Sequence, residues 1–274
     1  MQTHAIQFSR FADIQESDCQ DRIRLARAKL GNDLVILAHH YQHESVYQHA
    51  DYTGDSLKLS RHVAGLQARY IVFLGVHFMA EVADILSRPD QQVILPDLAA
   101  GCSMADMANL AKVERSYREL NRVLDFDQSI IPVTYINSAA DLKAFCGVHG
   151  GIVCTSTNAG QVIEWGLQQR GKVLFFPDQH LGRWSGYKLG IPLAAMPVWN
   201  ADLVMGGLSE TEIDAAKILL WNGHCSVHQM FRPKDISTFR AAHPEGMVIA
   251  HPEAPFEVCL NADFVGSTEY ILKT

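Results

Sequence analysis

The most constraining feature of this sequence is a repeated pattern: a short apolar run ends in a polar cluster, and a helix-like segment follows. The runs are continuous rather than alternating, which is typical of strands buried on both faces of a parallel sheet. They cover residues 33–38, 70–76, 92–95, 130–134, 151–154, 172–176, 217–220, 247–250 and 263–265. The pattern predicts an α/β fold in which helices cover parallel sheets.

The polar clusters that follow these runs indicate where a site would lie. In a parallel sheet, residues just past each strand share the carboxyl edge, where ligands bind in open α/β sheets and barrels alike. Taken singly, an Asn, Ser or Thr at such a place is better explained as a turn or cap residue. Its repetition, with His, Tyr and Cys included, favours a binding site at this edge.

Composition and charge restrict the partners. The chain has 274 residues, 48% of them apolar, and a net charge of −7, so we expect a sizeable core and neither a nucleic acid nor a membrane as partner. Residues 1–4 do not open a secretory signal, and no apolar run is long enough to span a bilayer. The sequence therefore predicts a cytoplasmic protein that binds small molecules.

The six cysteines are expected to be thiols or metal ligands rather than disulfides in that compartment. No CxxC pair occurs, which disfavours zinc-ribbon and thioredoxin sites. Cys102 follows a glycine and precedes a segment that can begin a helix, whose N-terminus would favour a thiolate. Cys225 lies between His224 and His228, a local set of metal-ligand side chains. A structural role remains the alternative for each.

Two further clusters carry groups suited to proton transfer. His39 and His40 precede Tyr41 after the first run, and an imidazole there can ligate metal, act as a base or bond to backbone. His251 and Glu253 flank Pro252 after a later run, which suits acid–base work on a carbonyl substrate. The alternative for this pair is an ion-paired surface turn.

The spacing of the runs predicts two similar α/β units and the beginning of a third. We place the boundaries at 1–108, 109–228 and 229–274, with the third unit incomplete. Residues 200–214, which are polar and contain glycines, are expected to form an exposed insertion in the second unit.

Ten motifs, in order along the chain, resemble those of the quinolinate synthase family. They are ILAHHYQ, GDSLKLSR, FLGVHFMAEVADIL, LPDLAAGCSMADM, YINSAADLKAFC, VCTSTNA, FFPDQHLGR, LWNGHCSVHQMF, HPEAPFEV and ADFVGSTEYI. The resemblance implies three similar three-layer αβα units around a pseudo-threefold axis. It also implies condensation of iminoaspartate with dihydroxyacetone phosphate to quinolinate, an NAD precursor, with an aspartate-oxidising enzyme as functional partner.

The same resemblance implies a [4Fe–4S] cluster on the axis, with an open iron acting as a Lewis acid. Cys102 and Cys225 correspond to two of its ligands, and Glu253, His39 and Tyr41 to catalytic residues. The substrate-binding residues would be His39, Ser56, Tyr135, Asn137, Ser156, His228, His251, Glu253 and Thr268. Cys19, Cys146, Cys154 and Cys259 receive no ligand role.

One departure from the family pattern limits the cofactor prediction. The third ligand cysteine of the family would lie beyond Thr274, so we expect the 274 residues alone to bind a cluster poorly. Two other readings stay open. One is a zinc hydrolase that uses His39, His40, His251 and Glu253, and the other is an anion-binding protein without the chemistry.

Overall fold

The computed structural model describes residues 8–274 and divides the chain into two compact units, Met1–Gly101 and Cys102–Thr274. It confirms the predicted α/β class, because parallel sheets are packed against helices in an arrangement consistent with three layers. The unit boundaries predicted at residues 108 and 228 stay predictions. No helix among residues 8–274 combines the length and the apolar character that crossing a bilayer requires.

The first unit is built on a four-stranded parallel sheet in the order β2-β1-β3-β4. Its strands are β1 Leu34–His39, β2 Tyr52–Gly54, β3 Tyr70–Leu74 and β4 Gln92–Ile94. Its helices are α1 Glu16–Leu30, α2 Glu44–Tyr47, α3 Ser56–Val63 and α4 His77–Leu86, with 3-10 turns at Phe8–Phe11 and Gly31–Asp33. The core forms where α3 and α4 pack together, with Leu59, Phe73 and Ala83 fully buried.

The second unit is built on a five-stranded parallel sheet in the order β6-β5-β7-β9-β8. Its strands are β5 Ile130–Tyr135, β6 Ile152–Cys154, β7 Lys172–Phe176, β8 Val198–Trp199 and β9 Ile218–Trp221. Every residue of β5 and β9 is buried, as continuous apolar runs predict. Because the strands are parallel, the residues that follow β5, β6, β7 and β9 lie at one edge.

Helices surround this sheet and cover its core. They are α5 Ser103–Asp106, α6 Leu110–Leu120, α7 Phe126–Ser129, α8 Ala140–Val148, α9 Ala159–Arg170, α10 Gln179–Lys188 and α11 Glu210–Ala215, with 3-10 turns at Leu193–Ala195 and Val204–Gly207. Trp199 and Trp221 are the largest buried side chains, and their ring N–H groups donate to Ser116 and to the Met107 carbonyl. Both indoles therefore bury apolar surface without leaving a polar atom unpaired.

The last part of the chain adds a two-stranded parallel sheet to the second unit. Its elements are the 3-10 turn His228–Met230, α12 Pro233–Ala242, β10 Ile249–Ala250, α13 Phe256–Asn261, β11 Phe264–Val265 and α14 Thr268–Lys273. A small core of Ile236, Ala250, Val258 and Cys259 holds these elements together. This core places the turn after β10 in a buried environment, where His251 and Glu253 are 8% and 5% exposed.

Two strands and part of one loop differ from the sequence expectation. The apolar runs in the sequence do not include the short strands β2 and β8. Most of residues 200–214 is exposed, but Ala201, Gly206 and Ile213 are buried. Gly206 has φ 65° and lies against the Trp199 indole, where a Cβ would be 2.3 Å from the ring, so a glycine is required there. This segment is therefore anchored to the core rather than free.

Candidate functional site

The carboxyl edge of the second unit carries a buried carboxylate with several polar neighbours. Glu253 lies in the turn after β10, and the Tyr135 hydroxyl at the end of β5 donates a hydrogen bond to its Oε1 at 2.7 Å. His228 Nδ1 lies 3.2 Å from Glu253 Oε2, and His251 Nδ1 lies 3.9 Å from Oε1. Residues far apart in sequence thus surround one carboxylate, as the strand-edge pattern predicts.

Local structure explains how the β5 turn reaches this carboxylate. The Ser138 hydroxyl donates to the Tyr135 carbonyl at 2.7 Å and receives a bond from the Thr134 hydroxyl at 2.9 Å. These bonds satisfy the turn internally, so the Tyr135 ring can point its hydroxyl at Glu253. Ser156, which follows β6, also hydrogen-bonds to Tyr135.

The two predicted metal-ligand cysteines lie beside each other in this unit. Their following residues touch, because Ser103 Oγ and Ser226 Oγ are 3.0 Å apart. Cys102 precedes α5 as its N-cap, and the backbone N–H groups of Met104 and Ala105 face its sulfur. Gly223 permits the close approach of the Cys225 turn to β7, since a Cβ there would be 2.2 Å from the Pro177 carbonyl oxygen.

The ionisation of this cluster follows from burial and mutual contacts. Burial raises the pKa of Glu253, but His228, His251 and the Tyr135 hydroxyl outweigh it and hold that pKa below 4.5. Burial lowers the pKa of His228, yet its contacts with Cys225 and Glu253 raise it to about 10. At neutral pH the site therefore holds an imidazolium beside a carboxylate.

The neighbouring groups stay neutral. Burial, with the charge of Glu253 next, raises the pKa of Tyr135 well above 10. Burial lowers the pKa of His251 below 6.5, with Glu253 opposing and His228 adding to the effect. Burial likewise raises the pKa of Cys102, and Glu253 and Cys225 add to this shift. A bound cation would instead lower the pKa of the Cys102 thiol, since metals bind the thiolate form.

One set of side chains here can hold a metal. A sulfur of Cys225, a ring nitrogen of His228 and a carboxylate oxygen of Glu253 lie within 4.8 Å of one another. Because His228 is protonated at neutral pH and pairs with Glu253, a metal ion would have to displace the ring proton to bind this imidazole. Thiolate, imidazole and carboxylate together suit zinc or iron.

The structure places the other predicted site residues as follows. Asn137 lies in the half-buried turn after β5, and Thr268 begins α14; neither is among the side chains that contact Glu253 in residues 8–274. In the first unit, Ser56 begins α3 and is buried, while the His39 and Tyr41 rings lie 4.1 Å apart after β1. Burial, with His40 next, lowers the pKa of His39 to about 4.

Sequence reasoning gave no role to Asp178, which is fully buried at the same edge. It follows β7, caps α10 by accepting from His180 N at 2.7 Å, and leaves Oδ2 without a partner among the described residues. Burial and then the charge of Glu253 raise the pKa of Asp178 well above 3.8, which disfavours its charged form. Its place directly after a strand, like that of Tyr135, is the signal that could have identified it.

The fold and this cluster define an α/β protein with a candidate metal centre of thiol, imidazole and carboxylate groups at strand ends. The family model described as "Quinolinate synthetase A protein" matches residues 21–274, and the chain belongs to this family.

Curated relatives named "Quinolinate synthase" agree with this assignment. One from Herpetosiphon aurantiacus is 53% identical over 266 residues, which are 96% of this chain and 71% of the relative. One from Rhodopirellula baltica is 51% identical over 276 residues, 96% of this chain and 70% of the relative. A third, from Bacillus cereus, is 47% identical over 267 residues, 96% of this chain and 71% of the relative.

Proposed function

We propose that this chain carries out the quinolinate synthase reaction, in which iminoaspartate and dihydroxyacetone phosphate condense to quinolinate with loss of phosphate and two waters. We infer the reaction from the membership of the chain in this family. The observation that carries the assignment of residues is the Tyr135–Glu253–His228 contact beside Cys225, because it joins a proton acceptor, a proton donor and a thiol. We expect the protein to act in the cytoplasm on small molecules supplied by an aspartate-oxidising enzyme.

The proton transfers are assigned by the ionisation of each group. Glu253 is the base, since it is ionised and buried, and Tyr135 fixes its orientation through the 2.7 Å hydrogen bond. His228 is the acid, because its pKa of about 10 keeps a proton on the ring at neutral pH. His251 holds the backbone of Glu253 in place, because its Nδ1 accepts a hydrogen bond from the Glu253 N–H at 3.3 Å.

The substrate contacts rest on residue types and positions. His39 and Tyr41 are proposed for the isomerisation and proton transfers of the triose. Ser56, Asn137, Ser156 and Thr268 would donate to carboxylate or phosphate oxygens. Each of these residues ends or follows a strand or begins a helix, so its side chain lies at a strand or helix end.

The [4Fe–4S] cluster that this family implies is only partly matched by the residues of this chain. Cys102 and Cys225 would be two ligands, and the contact between the residues that follow them fits a shared group. Two thiolates are fewer than such a cluster ordinarily has, so weak binding is expected from this chain alone. When bound, the cluster would supply a Lewis acid that stabilises negative charge on substrate oxygen.

Anaerobic reconstitution with iron and sulfide, followed by measurement of quinolinate from the two substrates, tests the proposal. Because the relatives are longer, we would run the chain in parallel with a chimera that continues it with the remaining C-terminal residues of the Herpetosiphon relative. We expect little iron in the chain alone, and a brown, iron- and sulfide-containing chimera that forms quinolinate. A colourless chimera that contains zinc and makes no quinolinate would favour the hydrolase, and one with neither metal would favour the anion-binding reading.

A further inference from the structure

A half-buried arginine near the Glu253 cluster forms no ion pair with any residue of 8–274. Arg183 lies on α10, and its guanidinium donates to Gln179 Oε1 at 3.2 Å. None of the ion pairs found among residues 8–274 includes Arg183. Burial lowers its pKa from 12.5, which reports the loss of hydration around the cation. A guanidinium removed from water ordinarily has an anion against it, so we expect an anionic ligand to bind Arg183.

A second unpaired donor shares the helix face with Arg183. His180 precedes it by three residues, which places the two side chains side by side. Gln229 Nε2 lies 2.7 Å from His180 Nε2, so the amide donates to this ring nitrogen. Burial, with Arg183 next, lowers the pKa of His180 to about 4, and the neutral ring then carries its proton on Nδ1. That atom is buried without a partner among the described residues.

The acidic groups around this face do not neutralise it. Asp178 is fully buried, and burial followed by the charge of Glu253 raises its pKa well above 3.8, which disfavours its charged form. Glu257, on α13, is exposed to water; its charge partly opposes the effect of burial on the Arg183 pKa, but it forms no ion pair with Arg183 among residues 8–274. The face therefore presents a cation whose acceptor, Gln179, is neutral, and an N–H donor that has no acceptor among the described residues.

We infer that Arg183 and His180, with Gln229 beside them, form an anion subsite that binds the phosphate group of a phosphate monoester. The guanidinium fork matches two phosphate oxygens, and the neutral imidazole and the amide add donors. Gln229 directly follows His228 and its N–H donates to the Cys225 carbonyl at 3.1 Å, so the subsite adjoins the Glu253 cluster. The identity of the monoester as the triose phosphate rests on the proposed function.

Titration of the 274-residue chain with inorganic phosphate at low ionic strength, followed by calorimetry, tests this subsite. Replacing Arg183 by glutamine is expected to weaken phosphate binding at least about tenfold, because a charge-assisted bidentate contact is lost. Arg122→Gln is the matched control: it removes the same charge from an exposed turn and should leave the affinity unchanged. His180→Phe keeps the ring shape without the donor and should weaken binding several-fold.

Unchanged phosphate affinity in Arg183→Gln, or equal weakening in Arg122→Gln, would overturn the inference, as would a wild-type chain that does not bind phosphate. If Arg183→Gln fails to fold by circular dichroism, His180→Phe decides in its place, and an unchanged affinity there overturns the inference. These measurements need no turnover. A chimera that makes no quinolinate would therefore count against the proposed function while the phosphate result stands.

Discussion

Replacing Glu253 by glutamine is expected to move the pKa of His228 in the metal-free chain from about 10 toward its ordinary value of 6.5. The reason is that burial disfavours the imidazolium, and the carboxylate 3.2 Å away is a main cause that opposes burial. Histidine ring resonances followed by NMR against pH measure this change. In the chimera, the loss of the base should reduce quinolinate formation about 10²- to 10⁴-fold.

The raised pKa of His228 also makes the free energy of unfolding depend on pH. The pKa of His228 is higher in the folded chain than the unfolded value, so its contribution is fully present below pH 6.5 and is lost as the pH rises through about 10. The Glu253→Gln variant should lack this part of the pH dependence of the unfolding free energy. Glu245→Gln, at an exposed position, serves as the control. An unmoved His228 pKa would show that Glu253 is not its partner.

Replacing Cys225 by serine is the second change with a large expected effect. Cys225 belongs both to the proposed cluster ligands and to the group of three side chains that can hold a metal ion. A serine hydroxyl is a much poorer ligand for iron than a thiolate, so reconstituted iron and quinolinate formation in the chimera should both fall to background. Iron and sulfide analysis, with the product assay on the same samples, measures both.

Cys19→Ser is the matched control for this substitution. Cys19 is also a partly exposed free thiol, but it lies on α1 in the first unit, and no ligand role is proposed for it. It should retain the iron and the activity of the parent chimera. Full iron content and activity in Cys225→Ser would remove Cys225 from the metal centre.

The strands that are buried on both faces could be predicted from the sequence. β5 and β9 are fully buried, and only a continuous apolar run can satisfy such a position. The strands β2 and β8 could not be found in this way: β2 is polar and partly exposed, and the two residues of β8 do not belong to a longer apolar run. Their pairing depends on neighbours that are distant in sequence.

The candidate site was predictable where a chemical side chain directly follows a strand. Cys225 and Glu253 were selected on that ground, Tyr135 was implied by the family resemblance, and contacts connect all three through Glu253 and His228. Asp178, His180 and Arg183 were not selected. The burial of Asp178, the unpaired ring nitrogen of His180 and the neutral acceptor of Arg183 depend on how α10 packs, which the local sequence does not reveal.

The proposed metal centre requires the thiols of Cys102 and Cys225 to meet at one place beside Glu253. Anaerobic treatment of the reduced chain with dibromobimane, a short bifunctional thiol reagent that fluoresces once both of its ends have reacted, followed by peptide mapping, tests this most directly. The 3.0 Å contact between Ser103 and Ser226 predicts a fluorescent cross-link that joins the peptides of Cys102 and Cys225. Separate labelling of these two thiols, without a peptide that links them, would contradict the account.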